Sequence, residues 1–280
     1  MNRRLRVSSP IVAMLVLTTT LAACSSRGKD SVIGRTSPVE VLHILVTNDD
    51  GFDAPGIDAV VVALSKLPHV KVTVVAPATN KSGTGSQTTP GTLTASTKKT
   101  ASGLPATAVD GFPSDAVRYA LDTLKIRPDV VVSGINAGQN LGPITNVSGT
   151  VGAAKAAATR GIPAIAASQG EVPNVPTNYG LGSKFVAIWV DGQRSALVAH
   201  RATAGVVNVN FPMCVTGAGR GVKQVPLASS AEDAVAAADC RSTITDVTTD
   251  VAAFHNGFVS VTQLNADGKT STTSTTWPST

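Results

Sequence analysis

Short apolar runs alternate with segments of helical spacing from residue 41 onward. The runs at 41–47 and 70–76 are rich in valine, leucine and isoleucine, which favours strands, while 56–67 between them carries apolar residues at helical spacing. The same alternation predicts antiparallel strands within 92–110, a helix at 113–124, a strand at 130–133, a helix at 150–160, and strands at 162–167 and 206–210. This order indicates an α/β fold, a Rossmann-like three-layer parallel sheet with helices on both faces. The block 222–264 predicts a strand-rich C-terminal arm.

The start of the chain has the pattern of an export signal. Three arginines precede a short apolar run, which predicts a signal peptide over residues 1–23. The letters LAAC at its end resemble a bacterial lipobox, so we expect cleavage before Cys24 and a lipid on its thiol; an ordinary cleaved signal is the alternative. Residues 24–39 are then a polar, lipidated tether. The protein is therefore expected outside the cytoplasm, anchored to a bacterial membrane.

The remaining sequence predicts one folded domain at 40–264 and a Ser/Thr-rich, disordered tail at 265–280. The formal charge of +5 includes three leader arginines, which leaves about +2 on the mature chain. No basic run with interleaved aromatic residues follows, which argues against a nucleic-acid groove. Outside the cytoplasm, Cys214 and Cys240 most simply form one disulfide, and a zinc site is the weaker alternative.

The most informative segment is ILVTNDDG at 44–51, an apolar run that ends on two carboxylates. In open α/β sheets, ligands bind at the carboxyl ends of the strands, which is where Asn48, Asp49 and Asp50 would lie. Adjacent aspartates repel each other unless a cation or protons neutralise them, so the pair predicts a site for a hard divalent metal. The alternative is a solvated turn in which one aspartate caps the next helix.

Two further polar loops follow predicted strands and should reach the same edge. The loop 76–85 carries Ser82 among glycines and can present a hydroxyl and backbone N–H groups to an anion or metal. The loop 133–142 carries Asn136 and Asn140, whose amide oxygens are good ligands for a hard cation. Each loop alone is equally consistent with an ordinary polar turn.

A third loop, NVSGTVGAAKAA, places Ser148, Gly149 and Thr150 at the start of a predicted helix. The N–H groups and the positive dipole end of a helix N-terminus favour phosphate. Simple capping of the helix by Ser148 or Thr150 is the alternative. Taken together, the four loops predict one pocket with a carboxylate pair, neutral oxygen donors and a phosphate site.

The same residues carry a family resemblance. The segments are ILVTNDDG, VVAPATNKSGTGSQ, GFPSDAVRYAL, PDVVVSGINAGQNLG and SGTVGAAKAAATRGIPAIAAS. In this order they resemble the SurE family of survival-protein nucleotidases over about residues 42–170, and NVNFP at 208–212 extends the likeness.

The resemblance implies a metal-dependent phosphomonoesterase that hydrolyses nucleoside 5′- or 3′-monophosphates. It implies a divalent cation, Mg²⁺ or Mn²⁺, and a homodimer that exchanges the C-terminal arm. By position, the implied metal ligands are Asp49, Asp50, Ser82 and Asn136, and the implied phosphate-binding residues are Asn48, Ser148, Gly149 and Thr150. Asp49 and Asp50 are the implied catalytic residues, with Asp49 as base or nucleophile.

The sequence departs from the family pattern at two positions. Ala137 stands where a basic residue is frequent, and Val147 stands where an aromatic residue or histidine is common. A cation near a reacting phosphate stabilises developing charge, so Ala137 removes one such contribution. A non-catalytic lipoprotein that binds nucleotides or phosphate compounds is therefore the alternative function. The retained aspartate pair favours the enzyme.

Overall fold

The computed structural model describes residues 40–271. The predicted signal peptide, the predicted tether at 24–39 and the end of the predicted tail, 272–280, lie outside the described residues. Within the described part of the chain, none of the helices is both long and apolar enough to cross a membrane.

One mixed sheet of nine strands forms the centre of the domain, in the order β3-β4-β2-β1-β5-β6-β7-β9-β8. The strands are β1 (Leu42–Thr47), β2 (Val70–Pro77), β3 (Thr94–Lys99), β4 (Pro105–Asp110), β5 (Val130–Ala137), β6 (Ala164–Gln169), β7 (Val206–Phe211), β8 (Val222–Gln224) and β9 (Val259–Leu264). Strand β1 pairs in parallel with both β2 and β5, whereas β3 and β9 run antiparallel to β4 and β7. The predicted α/β architecture is confirmed, with two antiparallel additions to its parallel centre.

Helices cover both faces of the sheet. They are α1 (Pro55–Leu64), α2 (Pro113–Arg118), α3 (Gly149–Ala158), α4 (Gly180–Val198) and α5 (Asp250–His255). Alternate residues of β1 point into different cores: Ile44 and Val46 pack with the apolar side chains of α1 and α4, and Leu45 packs with those of α2 and α3. Because both faces are buried, the middle of the strand, Ile44 to Val46, is continuously apolar, which is the pattern of a central parallel strand.

The C-terminal part differs from the predicted strand-rich arm. Strands β8 and β9 lie within the central sheet, helix α5 precedes β9, and residues 225–249 contain neither helix nor strand. The predicted disordered tail also begins with order, because residues 265–271 turn back and the Ser271 N–H donates to the Gln263 carbonyl at 2.7 Å. The central sheet therefore takes up the strands that the sequence pattern placed in a separate arm.

The predicted disulfide is confirmed. Cys214 and Cys240 are bonded, with their Cα atoms 5.5 Å apart and the two residues 26 positions apart in sequence. Cross-linking a loop of this length reduces the entropy of the unfolded chain and stabilises the fold by about 3 kcal/mol. The bond joins the loop between β7 and β8 to the irregular segment 225–249.

A buried carboxylate fastens that irregular segment to the loop after β5. Asp250 is fully buried, and its two oxygens accept the N–H groups of Gly142 and Ala228, each at 2.7 Å. Burial raises the pKa of Asp250, while these backbone hydrogen bonds oppose the shift. Asp250 thus joins the C-terminal part of the chain to a loop 108 positions earlier.

Candidate active site

The polar residues that follow β1 and β5 meet at one edge of the sheet. The two strands are parallel neighbours with Thr47 beside Ser133, and the chain continues from β1 to β2 on the opposite side of β1. The strand order therefore reverses between β1 and β5. In open α/β sheets, the crevice at such a reversal is the usual ligand site.

Asp49 lies in this crevice, in contact with the start of α3. Its side chain is almost fully buried, and the Thr150 hydroxyl donates to its Oδ1 at 2.6 Å. Gly149 packs so closely that a Cβ atom at this position would lie 2.7 Å from the Cβ of Asp49. Burial raises the pKa of Asp49, and hydrogen bonds from Thr150 and neighbouring backbone groups oppose that effect. The N-terminus of α3 therefore orients this carboxylate.

Asp50 faces the end of β5. Its Oδ2 accepts the N–H of Ala137 at 3.1 Å. Burial, followed by the charges of Asp49 and Glu171, raises its pKa to about 6, and only the Ala137 hydrogen bond acts in the opposite direction. Among the described residues, no cation contributes to lowering the pKa of either aspartate, so the two form a carboxylate pair without a compensating charge in this part of the chain.

This pair predicts a pH-dependent stability for the metal-free protein. The pKa of Asp50 rises from 3.8 to about 6 on folding, so the folded state binds a proton more tightly than the unfolded chain. The contribution of Asp50 to the free energy of unfolding is therefore largest below about pH 4. It decreases as the pH rises toward about 6, by at most about 3 kcal/mol. We expect Asp50→Asn to raise the melting temperature of the metal-free protein at neutral pH and to change it little at acidic pH. A variant less stable than the wild type at neutral pH would contradict this account.

The Ser82 loop is held against the same site. The Lys81 N–H donates to the Asp49 carbonyl at 2.7 Å, and the Gly85 N–H donates to the Val147 carbonyl at 2.9 Å. Ser82 lies between these two attachments and is exposed. The loop therefore brings the Ser82 hydroxyl to the rim of the aspartate site, and it also contacts the segment that leads into α3.

The two asparagines after β5 have different roles. Asn136 is mostly buried and its amide nitrogen donates to the Gly138 carbonyl at 2.6 Å, which leaves its amide oxygen for a cation. Asn140 instead anchors the loop, because its amide nitrogen donates to the Ser168 hydroxyl and its carbonyl accepts from Asn208. Asn136, the predicted metal ligand, thus lies at the end of β5 with its amide nitrogen bound, and Asn140 stabilises the loop that follows.

Two of the predicted phosphate-binding side chains serve the local structure. Asn48 is fully buried; its amide nitrogen donates to the Gly51 carbonyl at 2.8 Å and its amide oxygen accepts the Gly51 N–H. The Ser148 hydroxyl accepts the Val151 N–H at 3.1 Å and caps α3. Asn48 thus shapes the turn that presents the aspartates, and Ser148 caps α3. The N–H groups of Gly149 and Thr150 hydrogen-bond to Asp49, so the start of α3 and the carboxylate form one unit.

A cleft next to Asp50 was not predicted from the sequence. It has a volume of about 690 Å³ and is lined by Gly138, Gln139, Glu171, Val172, Pro173, Asn174, Val175, Pro176 and Val235. Tyr179 lies close enough to Asp50 and Glu171 to be influenced by their charges. Burial and then these two charges raise the pKa of Tyr179 to about 12. Glu171 comes two residues after β6, another strand that ends at this edge of the sheet. Its place after that strand is the feature of the sequence from which it could be predicted to lie near the site.

The donors at this site fit a hard divalent cation. Asp49, Asp50, Asn136 and Ser82 supply only oxygen atoms, as Mg²⁺ and Mn²⁺ prefer. The part of the chain that the structure describes contains no cluster of three or more His, Cys, Asp or Glu side chains that could hold a metal. A cation would therefore depend on the aspartate pair together with neutral oxygens.

The fold and the carboxylate pair at its strand reversal define an α/β enzyme of the doubly wound type. The family model described as "Survival protein SurE" matches residues 44–234, and the chain belongs to the SurE family. A protein of Desulfitobacterium hafniense named 5′-nucleotidase SurE is 33% identical over 240 residues, which cover 81% of this chain and 92% of that protein.

Other relatives agree with this assignment. A 5′-nucleotidase SurE of Methanopyrus kandleri is 40% identical over 192 residues, which cover 67% of this chain and 72% of that protein. The crystal structure of the SurE protein from Aquifex aeolicus superimposes with a TM-score of 0.61 at 30% identity, covering 80% of this chain and 94% of that chain. The family resemblance in the sequence is therefore confirmed.

Proposed function

We propose that this protein is a metal-dependent nucleotidase that hydrolyses nucleoside 5′- or 3′-monophosphates to nucleoside and inorganic phosphate. The observation that carries the proposal is the pair Asp49 and Asp50 at the strand reversal, with Asn136 and Ser82 beside it. Relatives named 5′-nucleotidase support the substrate class. A buried carboxylate, Asp49, and a partly buried one, Asp50, that face an anionic ligand are unfavourable without a cation, which supports metal dependence.

The cation, Asp49 and the start of α3 have different roles in the proposed reaction. A bound Mg²⁺ or Mn²⁺ would neutralise phosphate oxygens and make water more acidic. Asp49 is held by Thr150 in one orientation, from which it serves as general base toward water or as nucleophile toward phosphorus. The start of α3 orients Asp49 through hydrogen bonds from Gly149 and Thr150, and its positive dipole end favours the negative charge of a phosphoryl group bound beside Asp49. When water attacks phosphorus, the bond to the ester oxygen breaks, and that oxygen takes up the proton that Asp49 removed from water, so the products are the nucleoside and inorganic phosphate. When Asp49 attacks, the same bond breaks, and water then cleaves the aspartyl phosphate to inorganic phosphate and supplies the proton that the nucleoside oxygen takes up.

A location in the cell envelope is part of the proposal. The disulfide between Cys214 and Cys240 supports an oxidising compartment, because such bonds are rare in the cytosol. The arginine-led apolar start of the sequence and the LAAC letters support export and a lipid on Cys24. A homodimer is the expected assembly on the family resemblance.

Phosphate release from nucleoside monophosphates tests the function. The purified protein is incubated with 5′- and 3′-monophosphates of the common nucleosides and with Mg²⁺, Mn²⁺ or EDTA, and inorganic phosphate is measured over time. We expect release with at least one metal and none in EDTA. A folded protein that binds nucleotide but releases no phosphate with any metal would instead be the nucleotide-binding lipoprotein. Ala137 would then be the first position to change to a basic residue.

A further inference from the structure

A second concavity, which we call the basic hollow, lies at the amino ends of the central strands. It has a volume of about 300 Å³, and its lining includes three positively charged side chains, Lys71, Lys125 and Arg127, together with His43. His43 and Lys71 are neighbours across β1 and β2, and Arg127 belongs to the connection that leads into β5. None of the described residues that line the hollow is an aspartate or glutamate. The hollow is therefore a concentration of positive charge.

The two lysines of the hollow are available to a ligand. Both are exposed, and neither forms an ion pair with another residue in the part of the chain that the structure describes. Two acidic residues of the same connection have other partners: Asp122 pairs with Arg160 at 3.0 Å, and the mostly buried Asp129 accepts the His43 N–H at 2.8 Å. The lysine charges therefore face solvent without a carboxylate partner among these residues.

Lys125 has a backbone conformation that favours glycine. Its φ is 57°, and it follows closely on a short π-helical turn, Tyr119–Thr123. Glycine adopts this left-handed conformation readily, whereas a residue with a Cβ atom is strained there, and helices commonly end on glycine for this reason. The fold therefore does not need a lysine side chain at this position, which is consistent with a role for its charge.

The hollow lies at the end of the domain where the chain arrives from its amino-terminal segment. His43 follows the predicted tether, residues 24–39, by four positions. A tether of this length spans at most about 55 Å, so the proposed lipid on Cys24 would keep this end of the domain close to a membrane. Val41 and Leu124 add two exposed apolar side chains at the same end. Cations, exposed apolar groups and a lipid anchor together suit an anionic lipid surface.

We propose that the basic hollow binds the phosphate of anionic phospholipid headgroups and that the domain rests on the membrane through this end. The inference rests on the proposed location in the cell envelope and is independent of the nucleotidase reaction. Strand β1 runs from the hollow toward Asp49 and Asp50, a distance of about 20 Å for its six residues. The active site would therefore open away from the lipid surface, toward soluble substrates.

Vesicle binding without a covalent lipid tests the proposal. The chain from residue 24 to residue 280 is prepared with Cys24→Ser, so that binding comes from the protein itself. Cosedimentation is measured with vesicles of phosphatidylcholine and with vesicles of an equal mixture of phosphatidylcholine and phosphatidylglycerol. The hollow variant combines Lys71→Gln and Lys125→Gly. The matched control combines Lys184→Gln and Arg241→Gln, which remove two exposed charges that do not line the hollow.

We expect the unaltered hollow to bind the mixed vesicles about tenfold or more tightly than phosphatidylcholine vesicles, and the hollow variant to lose about tenfold or more of its affinity for the mixed vesicles. The control should stay within about twofold, because it keeps the cations of the hollow and has the same tether and net charge as the hollow variant. Added salt should weaken the binding. Equal binding to the two kinds of vesicle, or equal losses in the two variants, would overturn the proposal.

Two further measurements separate this proposal from its alternatives. Thermal unfolding should show the hollow variant to be at least as stable as the unaltered protein, because glycine suits the backbone of Lys125, so that lost binding is not lost folding. Inorganic phosphate is also titrated in EDTA. Phosphate binding that the hollow variant loses, without binding to mixed vesicles, would assign the hollow to a soluble anion and overturn the membrane proposal. Neither readout uses nucleotide hydrolysis, so failure of the nucleotidase function would leave this result unchanged.

Discussion

Replacement of Asp49 by asparagine lowers kcat/KM for phosphate release by at least about a thousandfold, in our expectation, and leaves the fold intact. Asp49 is 2% exposed and is oriented by the Thr150 hydroxyl and the start of α3. Asparagine keeps the shape and an oxygen that accepts from Thr150, but it supplies neither the charge that binds a cation nor a basic or nucleophilic oxygen. Burial raises the pKa of Asp49, so removal of its charge should not destabilise the metal-free protein.

The measurement compares kcat/KM with Mg²⁺ or Mn²⁺ for the wild type and for two variants, Asp49→Asn and Asp53→Asn. Asp53 is an exposed carboxylate in the same turn, so its variant makes the same chemical change without altering the buried pair. We expect Asp53→Asn to retain activity within a few-fold, and thermal unfolding should show both variants folded. Full activity in Asp49→Asn would refute the assignment of the site.

A methyl group at Gly152 destabilises the protein, because α3 lies directly against the Ser82 loop at this residue. A Cβ atom there would overlap the Gly85 carbonyl oxygen and approach the Gly85 carbonyl carbon to 2.6 Å. The neighbouring atoms are backbone and cannot rotate away, so the helix and the loop must separate. We expect Gly152→Ala to lower the free energy of unfolding by about 1–3 kcal/mol. Activity should also fall, since the displaced loop carries Ser82.

Gly192→Ala is the matched control for this prediction. Gly192 also lies inside a helix, α4, but nothing surrounds the position that its Cβ atom would take. Alanine is favoured over glycine in helices, so this variant should gain about 0.5–1 kcal/mol. Urea unfolding of both variants gives the comparison. If Gly152→Ala is as stable as Gly192→Ala, the close packing of α3 on the loop does not hold in solution.

The sequence was sufficient to predict the centre of this fold and its carboxylate pair. A continuous apolar run such as β1 has only one stable place, between two layers of helices, and its polar end must then lie at an edge of the sheet. The separation of Cys214 and Cys240 from any metal-binding pattern was likewise enough to predict their bond. These predictions depend on local pattern and composition, which the sequence displays directly.

Roles that depend on which groups become neighbours could not be predicted in the same way. Asn48, Ser148 and Asn140 have the chemistry of ligand donors, and the structure adds local hydrogen bonds that the sequence does not reveal. The sequence pattern predicts strands in the C-terminal part but does not show which strands they pair with. It therefore predicts an arm where the structure has β9 paired antiparallel with β7. Glu171 has no distinctive neighbours in sequence, and its position beside Asp50 arises only when β5 and β6 are paired.

Residues near the C-terminal end of the chain hold the loop that forms one wall of the cleft. Gln139 donates to the carbonyl of Ala236, and Asp250 binds the N–H of Gly142 from 108 positions further on. A ribosome releases the amino end first, so Asp49 and the strands around it emerge well before the residues that fix the loop after β5. During synthesis the aspartate pair is therefore made before the groups that fix the loop after β5. A nascent chain stalled before residue 236 would have both carboxylates but not the carbonyl that holds Gln139 or the carboxylate that holds Gly142.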